Sequence, residues 1–330
     1  MRAVKNLLVL YTGGTIGMLE TPQGLAPAGG FEARMRAHLD QQADAPTLNW
    51  RLHELTPLLD SANMQQANWL AMRDAIVEAV ERDGHDGVLL LHGTDTLAYS
   101  AAALSFLLLG LPAPVLLTGS MLPAGAPDSD AWDNLGGALQ LMATGIDDGV
   151  HLYFHGQLLH GARTSKLRSE AFDAFASLPR QRDGQRVDAV PARLDYRQPR
   201  HTVNLAVLPV FPGLQVSHLR ALLGSGVQGL LLECYGSGTG PSDDQDLLDA
   251  LHDAREGGVL IAAISQCPEG AVHFDTYAAG SRLRDTGLVS GGGMTREAAL
   301  GKMFALLGAG LDVQAAEYWF ALDLCGERAQ

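Results

Sequence analysis

Short apolar runs that stop abruptly at small polar turns set the rhythm of the first half of the chain. Val88–Leu91 is fully apolar and short, as suits a strand buried on both faces, and the spacing in Ala98–Leu109 predicts a helix. Gly93-Thr94-Asp95-Thr96 is therefore read as a strand-to-helix turn. Leu7–Leu10 leads in the same way into Thr12-Gly13-Gly14-Thr15. A third polar tip, Asp60-Ser61-Ala62-Asn63, lies between the predicted strand Trp50–Leu55 and the predicted helix Gln65–Arg82. With the strand Val115–Thr118, the loop Pro123–Asp130 and the helix Asn134–Ala143, the alternation predicts a mostly parallel sheet flanked by helices. Ligands bind such sheets at the carboxyl ends of strands, so the Thr12 and Thr94 turns are expected to face one pocket. Gly13–Gly30, ahead of the short helix Phe31–Leu39, is rich in Gly and Pro and low in periodicity, and reads as an active-site lid.

From His151 the pieces become shorter and irregular, with Gly161–Lys166 as a polar crossing before Phe172–Pro179. Asp188–Arg200, with Pro191 and Pro199, is the linker candidate. The expected division is a larger N-terminal α/β domain at 1–190, a linker at 191–203 and a smaller C-terminal α/β domain at 204–330. There the rhythm resumes with strands Val203–Val210, Gly229–Cys234 and Val259–Ile264, helices Leu214–Leu223 and Asp243–Arg255, and further helices from Thr295 and Val313.

At 330 residues and 47% hydrophobic content the chain can bury a full core and is expected to form two domains. Lys and Arg number 23 against 37 acids, a net charge of −14, which disfavours a nucleic-acid partner whose phosphates need cations. The three cysteines, Cys234, Cys267 and Cys325, are widely spaced and form no Cys-x-x-Cys pair, so neither a disulfide framework nor a zinc knuckle is indicated. Cys267, beside Gln266 at a strand end, reads as an inert buried thiol. Met1–Leu10 has too short an apolar run for a secretion signal, and Ser105, Gly110, Pro112 and Pro114 interrupt the greasy region Ala101–Leu117. No membrane contact and a cytoplasmic location are expected. His151, His155 and His160 lack the carboxylate-histidine spacing of a metal site, so no metal is expected, and His92 reads as a buried, hydrogen-bonded residue.

The polar turns bring together two threonine hydroxyls (Thr12, Thr94), a carboxylate (Asp95), a serine (Ser61) and the backbone amides at Gly13, Gly14 and Gly93. These are the parts of a nucleophile and an oxyanion hole. A threonine hydroxyl is inert at neutral pH without a base, and a buried lysine can serve as one, which singles out Lys166 in the polar crossing. The residues alone therefore read as an acyl-transfer hydrolase. Asp95 also suits a helix N-cap, a role compatible with catalysis. A dinucleotide fingerprint is incomplete because Thr12 takes the place of its first glycine, and no Gly-x-Ser-x-Gly elbow occurs.

Thr12-Gly-Gly-Thr-Ile-Gly and His92-Gly-Thr-Asp-Thr resemble, in order, the two signatures of the bacterial-type L-asparaginases. Asp60-Ser61, Arg163-Thr-Ser-Lys166, Phe172–Ser177, Tyr235-Gly-Ser-Gly238, Ser265-Gln-Cys267 and Met294–Leu300 extend the resemblance over both halves, and it is strongest to the cytoplasmic type I branch. The resemblance implies a two-domain asparaginase-like fold and hydrolysis of L-asparagine to L-aspartate and ammonia, with weaker L-glutaminase activity and no cofactor. It implies a homodimer or dimer of dimers, the C-terminal domain completing the pocket of a partner subunit. It makes Thr12 the nucleophile of a β-aspartyl-enzyme and Thr94, Asp95 and Lys166 the second catalytic group. Ser61 would hold the substrate α-carboxylate and Asp95 its α-ammonium, with Asp60, Gly93 and Thr94 lining the site and Gly13 and Thr94 as oxyanion-hole candidates.

Three positions depart from the family, one of them Thr239, where Asn is common in the segment a neighbouring subunit lends to the site. Leu25 stands where a lid tyrosine normally bonds to the nucleophile, which leaves activation to the Thr94–Lys166 pair or to another hydroxyl such as Tyr11. Glu233 stands where regulated type I enzymes place an effector-binding arginine, so activation by substrate is not expected. The alternatives are a non-catalytic amino-acid binder, raised by Leu25, and a glutamine-hydrolysing amidotransferase subunit. The latter usually carries an extra N-terminal domain and acts with tRNA, which the acidic charge disfavours. A lysophospholipase-like activity belongs to longer members of the family.

Overall fold

The computed structural model describes residues 3–22, 24–43, 46–178 and 184–328. It divides into two compact units, Met1–Ser177 and Leu178–Gln330. The first unit runs β1 (Asn6–Gly13), β2 (Leu19–Thr21), β3 (Gly24–Ala26), α1 (Phe31–Leu39), β4 (Asn49–Leu59), α2 (Gln66–Glu81), β5 (Gly87–Leu91) and α3 (Leu97–Leu107). It continues through β6 (Pro114–Thr118), α4 (Ala131–Thr144), β7 (Gly149–Phe154), β8 (Gln157–His160), β9 (Thr164–Lys166) and β10 (Phe175–Ser177). Its six-stranded sheet has the order β4-β1-β5-β6-β7-β8. All neighbours are parallel except the β7–β8 hairpin.

The central strands β5 and β6 are buried at every position, as their unbroken apolar sequences require of strands covered on both faces. Leu7, Val9, Leu89, Leu116, Leu135 and Met142 are among the residues of the core between this sheet and α4. Register then decides where the turns fall. Tyr11 pairs with Leu91, so Thr12 and His92-Gly93-Thr94 leave the sheet at the same level. A register shift after Tyr11 pairs Gly13 with Leu59 and brings Asp60-Ser61 to that edge as well.

The second unit contains a four-stranded parallel sheet in the order β11 (Leu205–Pro209), β12 (Gly229–Cys234), β13 (Leu260–Ser265) and β14 (Val289–Ser290). Around it lie α5 (Val216–Leu223), α6 (Gln245–Glu256), α7 (Ala278–Arg284), α8 (Arg296–Gly308) and α9 (Val313–Ala321). Leu230, Leu232, Leu251 and Ile261 centre its core. Backbone bonds tie Gln185 and Val187 to Asp323 near the other end of the unit, which groups the segment after 184 with the C-terminal half.

Several elements differ from the sequence reading. β4 continues through Pro57 to Leu59, which a sheet edge tolerates because one side of the strand needs no donor. The stretch after His151 is a regular hairpin, and the segment read as a lid contains the β2–β3 hairpin. α4 starts at Ala131, ahead of the expected Asn134, while α7 and β14 were not anticipated. Gln23 of the lid and Pro179 lie outside the described residues.

Candidate active site

The three expected turns meet at one edge of the first unit's sheet, backbone against backbone. Gly14 has φ +85°, and a Cβ on it would stand 2.3 Å from Gly93 N; a Cβ on Gly13, at φ +110°, would stand 2.3 Å from Leu59 O. A Cβ on Gly93 would in turn lie 2.5 Å from Ser61 Oγ. Glycine is therefore required where the turns touch, for the closeness at all three positions and for the positive φ at Gly13 and Gly14. Thr96 Oγ1 fastens two of them by donating to Ser61 O at 2.8 Å, and Asp60 caps its short turn by accepting from Ala62 N at 3.1 Å.

Thr12, Ser61 and Thr94 are all buried at this edge. Thr12 Oγ1 donates to Leu91 O at 3.0 Å. Lys166 ends β9, paired across the ladder with Phe175, and reaches the same turn: its Nζ donates to Thr94 Oγ1 at 3.0 Å and to Asp95 Oδ1 at 2.9 Å. The lysine side chain is 19% exposed and the aspartate 62%, so the ion pair is wet on the carboxylate side and Asp95 Oδ2 remains open. An ammonium beside a buried hydroxyl and a carboxylate with a free oxygen can handle a proton and a substrate cation together.

His92 sits under the turn with no exposure. Its Nδ1 lies 2.7 Å from Gly93 O, which can only accept, so Nδ1 carries the hydrogen. Nε2 therefore accepts from Ser100 Oγ at 2.8 Å, and Ser100 in turn accepts from Trp69 Nε1 at 2.8 Å. Burial pushes His92 down to about 4, against a smaller opposing effect of the Gly93 bond, so the ring is neutral and serves as a strut for the turn. The buried, hydrogen-bonded role expected from sequence is the one observed.

Tyr11 does not replace the lid tyrosine. Its hydroxyl donates to Ala28 O at 3.2 Å under the base of the lid, packed against Gly17. Strand alternation directs it away from the face that carries Thr12. Burial pushes the phenol up to about 12, with Arg34 lowering and Glu54 raising it by less, so it stays protonated. Leu25 lies half exposed on β3.

Elsewhere, Cys267 is exposed, which corrects the reading of a buried thiol: β13 ends at Ser265 and the chain turns outward. Glu233 is buried, and Arg296 holds both its oxygens at 2.5 and 2.8 Å. His151 and His160 are spent on Asp147 O and Ala162 N, and among the described residues no group of three or more His, Cys, Asp or Glu could hold a metal ion. No helix among them is long and apolar enough to cross a membrane.

Residues 6–199 match the family model "Asparaginase, N-terminal" and residues 204–320 match "Glutaminase/Asparaginase C-terminal domain". The chain is 35% identical to L-asparaginase 1 of Escherichia coli (strain K12) over 98% of each protein. It is 34% identical to the human 60 kDa lysophospholipase over 98% of this chain and 61% of that longer one. The crystal structure of L-asparaginase I from Vibrio cholerae superimposes with a TM-score of 0.84 at 31% identity, covering 99% of this chain and 100% of that one. Sequence signatures, two-unit α/β fold and full-length similarity agree: the chain belongs to the asparaginase family.

Proposed function

We propose that this protein hydrolyses L-asparagine to L-aspartate and ammonia, with L-glutamine a poorer substrate. The observation that carries the reading is the convergence of Thr12 with the Lys166-coupled Thr94–Asp95 turn on one strand edge. Thr12 Oγ attacks the side-chain amide carbon, its proton is passed on, and the tetrahedral oxyanion is held by backbone amides at Gly13 and Thr94. Collapse expels the amide nitrogen as ammonia and leaves a β-aspartyl ester on Thr12. Water adds to that ester, releasing aspartate and restoring the hydroxyl.

The α-carboxylate is received at Ser61, with Asp60 and Gly93 lining the site, and the α-ammonium by the open oxygen of Asp95. Fixing both ends holds the amide carbon near Thr12, the step in which proximity contributes most. One extra methylene changes discrimination by only ~1–3 kcal/mol, so glutamine should be turned over about 10- to 200-fold less well. No cofactor enters this chemistry. The reading includes a cytoplasmic homo-oligomer, a dimer or dimer of dimers, and a linker at 191–203, whose last residues fall in the gap between the two family matches, after 199 and before 204.

The test is ammonia release from purified protein given L-asparagine or L-glutamine, with Thr12→Ala beside it. Release from asparagine that is lost in Thr12→Ala supports the enzyme and its nucleophile together. Asparagine binding without release would instead identify an amino-acid binder.

A further inference from the structure

The turn after β6 forms a wall beside Thr94, and a buried polar pair holds it. His92 N donates to Thr118 O at 2.9 Å, so β5 and β6 leave the sheet side by side. Gly119 is pressed so closely on the neighbouring turn that a Cβ there would lie 2.2 Å from His92 O and 3.9 Å from Thr94 Cγ2. Asp130, 7% exposed, accepts from Met121 N at 3.0 Å, Leu122 N at 3.1 Å and Asn134 Nδ2 at 3.0 Å. Although it occupies the N-cap of α4, its carboxylate makes no capping bond to the helix. It is turned to the loop instead.

Asn134, 2% exposed, uses the rest of its amide on two separate segments. Nδ2 donates to Gly119 O at 3.0 Å, and Oδ1 accepts from His155 N at 2.8 Å. His155, at φ 47°, makes the turn between β7 and β8, and β8 leads through 161–163 into β9 and Lys166. The Asp130 carboxylate can only accept, so it fixes which end of the Asn134 amide faces which segment. One side chain thus ties the wall beside Thr94 to the hairpin that feeds the strand of Lys166.

We infer that Asn134, oriented by Asp130, is a positioning residue for the Thr94–Lys166 pair, acting through the Gly119 carbonyl; the inference rests on the proposed asparagine hydrolysis. The informative variant is the swap Asp130→Asn with Asn134→Asp. It restores a donor–acceptor contact between the two side chains and the acceptor for His155 N, but sets a carboxylate oxygen against Gly119 O where the amide had donated. The swap is expected to melt within a few degrees of the parent while kcat falls tenfold or more and KM shifts less than threefold. Recovery of kcat together with stability would overturn the inference, because the pair would then be a structural brace only. Asn134→Ser, which keeps a small polar side chain and admits water, should give the same kcat-against-KM split if the swap fails to fold. Parent protein that releases no ammonia would defeat the proposed function separately. In that event a crystal structure of the swap decides: a displaced Gly119 carbonyl and a lengthened 3.0 Å Lys166–Thr94 contact support positioning, and an unmoved turn refutes it.

Discussion

Replacing Gly14 with alanine asks whether the contact between the Thr12 and Thr94 turns sets the reaction geometry. The added Cβ would stand 2.3 Å from Gly93 N and 2.4 Å from Gly93 Cα, where 3.4 Å is the start of ordinary contact. The two turns must therefore part by about 1.1 Å, the difference between 3.4 and 2.3 Å, since both colliding atoms are backbone and neither can rotate away. Misplacement by ~1 Å costs a well-oriented reaction about 100-fold, so kcat should fall by roughly that factor. The backbone adds its own term, because φ +85° with ψ 172° is a region open essentially to glycine and costs an L residue about 1–3 kcal/mol. Gly84→Ala separates the two effects: its φ is +74°, and nothing lies within 4 Å of the added Cβ. Both variants should lose stability in urea, and only Gly14→Ala should lose turnover, measured as initial rates of ammonia release with saturating asparagine. A Gly14→Ala enzyme with parental kcat and KM would refute the placement of the reaction between these turns.

Three further outcomes follow from buried charge and its partners. His92 titrates at about 4 when folded against 6.5 in the unfolded chain, so the unfolded state binds more protons between those values. Stability from this group is present above pH 6.5 and is lost as pH falls towards 4, by about 3 kcal/mol in all, and urea midpoints should decline across that window with a shallower slope in His92→Gln. In the second unit, Lys302 Nζ is fully buried and bonded to Glu327 Oε1 at 2.5 Å. Lys302→Met strands that carboxylate and should cost about 3–5 kcal/mol by chemical denaturation, whereas a loss below ~1 kcal/mol would mean the pair is dispensable. Because Arg296 already neutralises Glu233, that position offers an effector carboxylate no free cation, and asparagine saturation should be hyperbolic. A sigmoid curve would contradict this.

The parts of the fold that were legible in the sequence are those governed by neighbouring residues. β5 and β6 are unbroken apolar runs, and the turns that follow β1 and β5 are built from glycines and short polar side chains with few alternatives in conformation. Lys166 was singled out by its polar surroundings, but its contact with Thr94 spans 72 residues and depends on a hairpin that the sequence reading left irregular. That hairpin was detectable: Val150, Leu152 and Phe154 alternate inward along β7, while the histidine and tyrosine between them obscured the period. β4 runs past the expected end at Leu55, through Pro57, because it lies at the sheet edge, which nothing local in the sequence reveals. Asp130 and Asn134 stand four apart at a helix start, where capping is the ordinary explanation, and only the folded chain shows both side chains turned to other segments.

Leu25 makes the proton path the sharpest chemical question for this chain. A nucleophilic hydroxyl must give its proton to a group that can pass it on, and in the structure Thr12 gives its hydrogen bond to a backbone carbonyl, which can orient a hydroxyl but not deprotonate it. The lid offers a leucine at the position where the family resemblance puts a tyrosine, and Tyr11 is committed to Ala28 O with its phenol pushed up to about 12. In the turn that faces Thr12, Thr94 is coupled to an ionisable partner, Lys166, whereas the Ser100–His92 pair is buried beneath the turn. Under the proposed reaction the same carboxylate that holds Lys166 also receives the substrate ammonium. The arriving cation then competes with the lysine for Asp95 at the moment the amide carbon reaches Thr12. Substrate binding and the Lys166 contact would share one residue, so the proposed relay through Thr94 is expected to distinguish an amino acid carrying its α-ammonium from a bare amide.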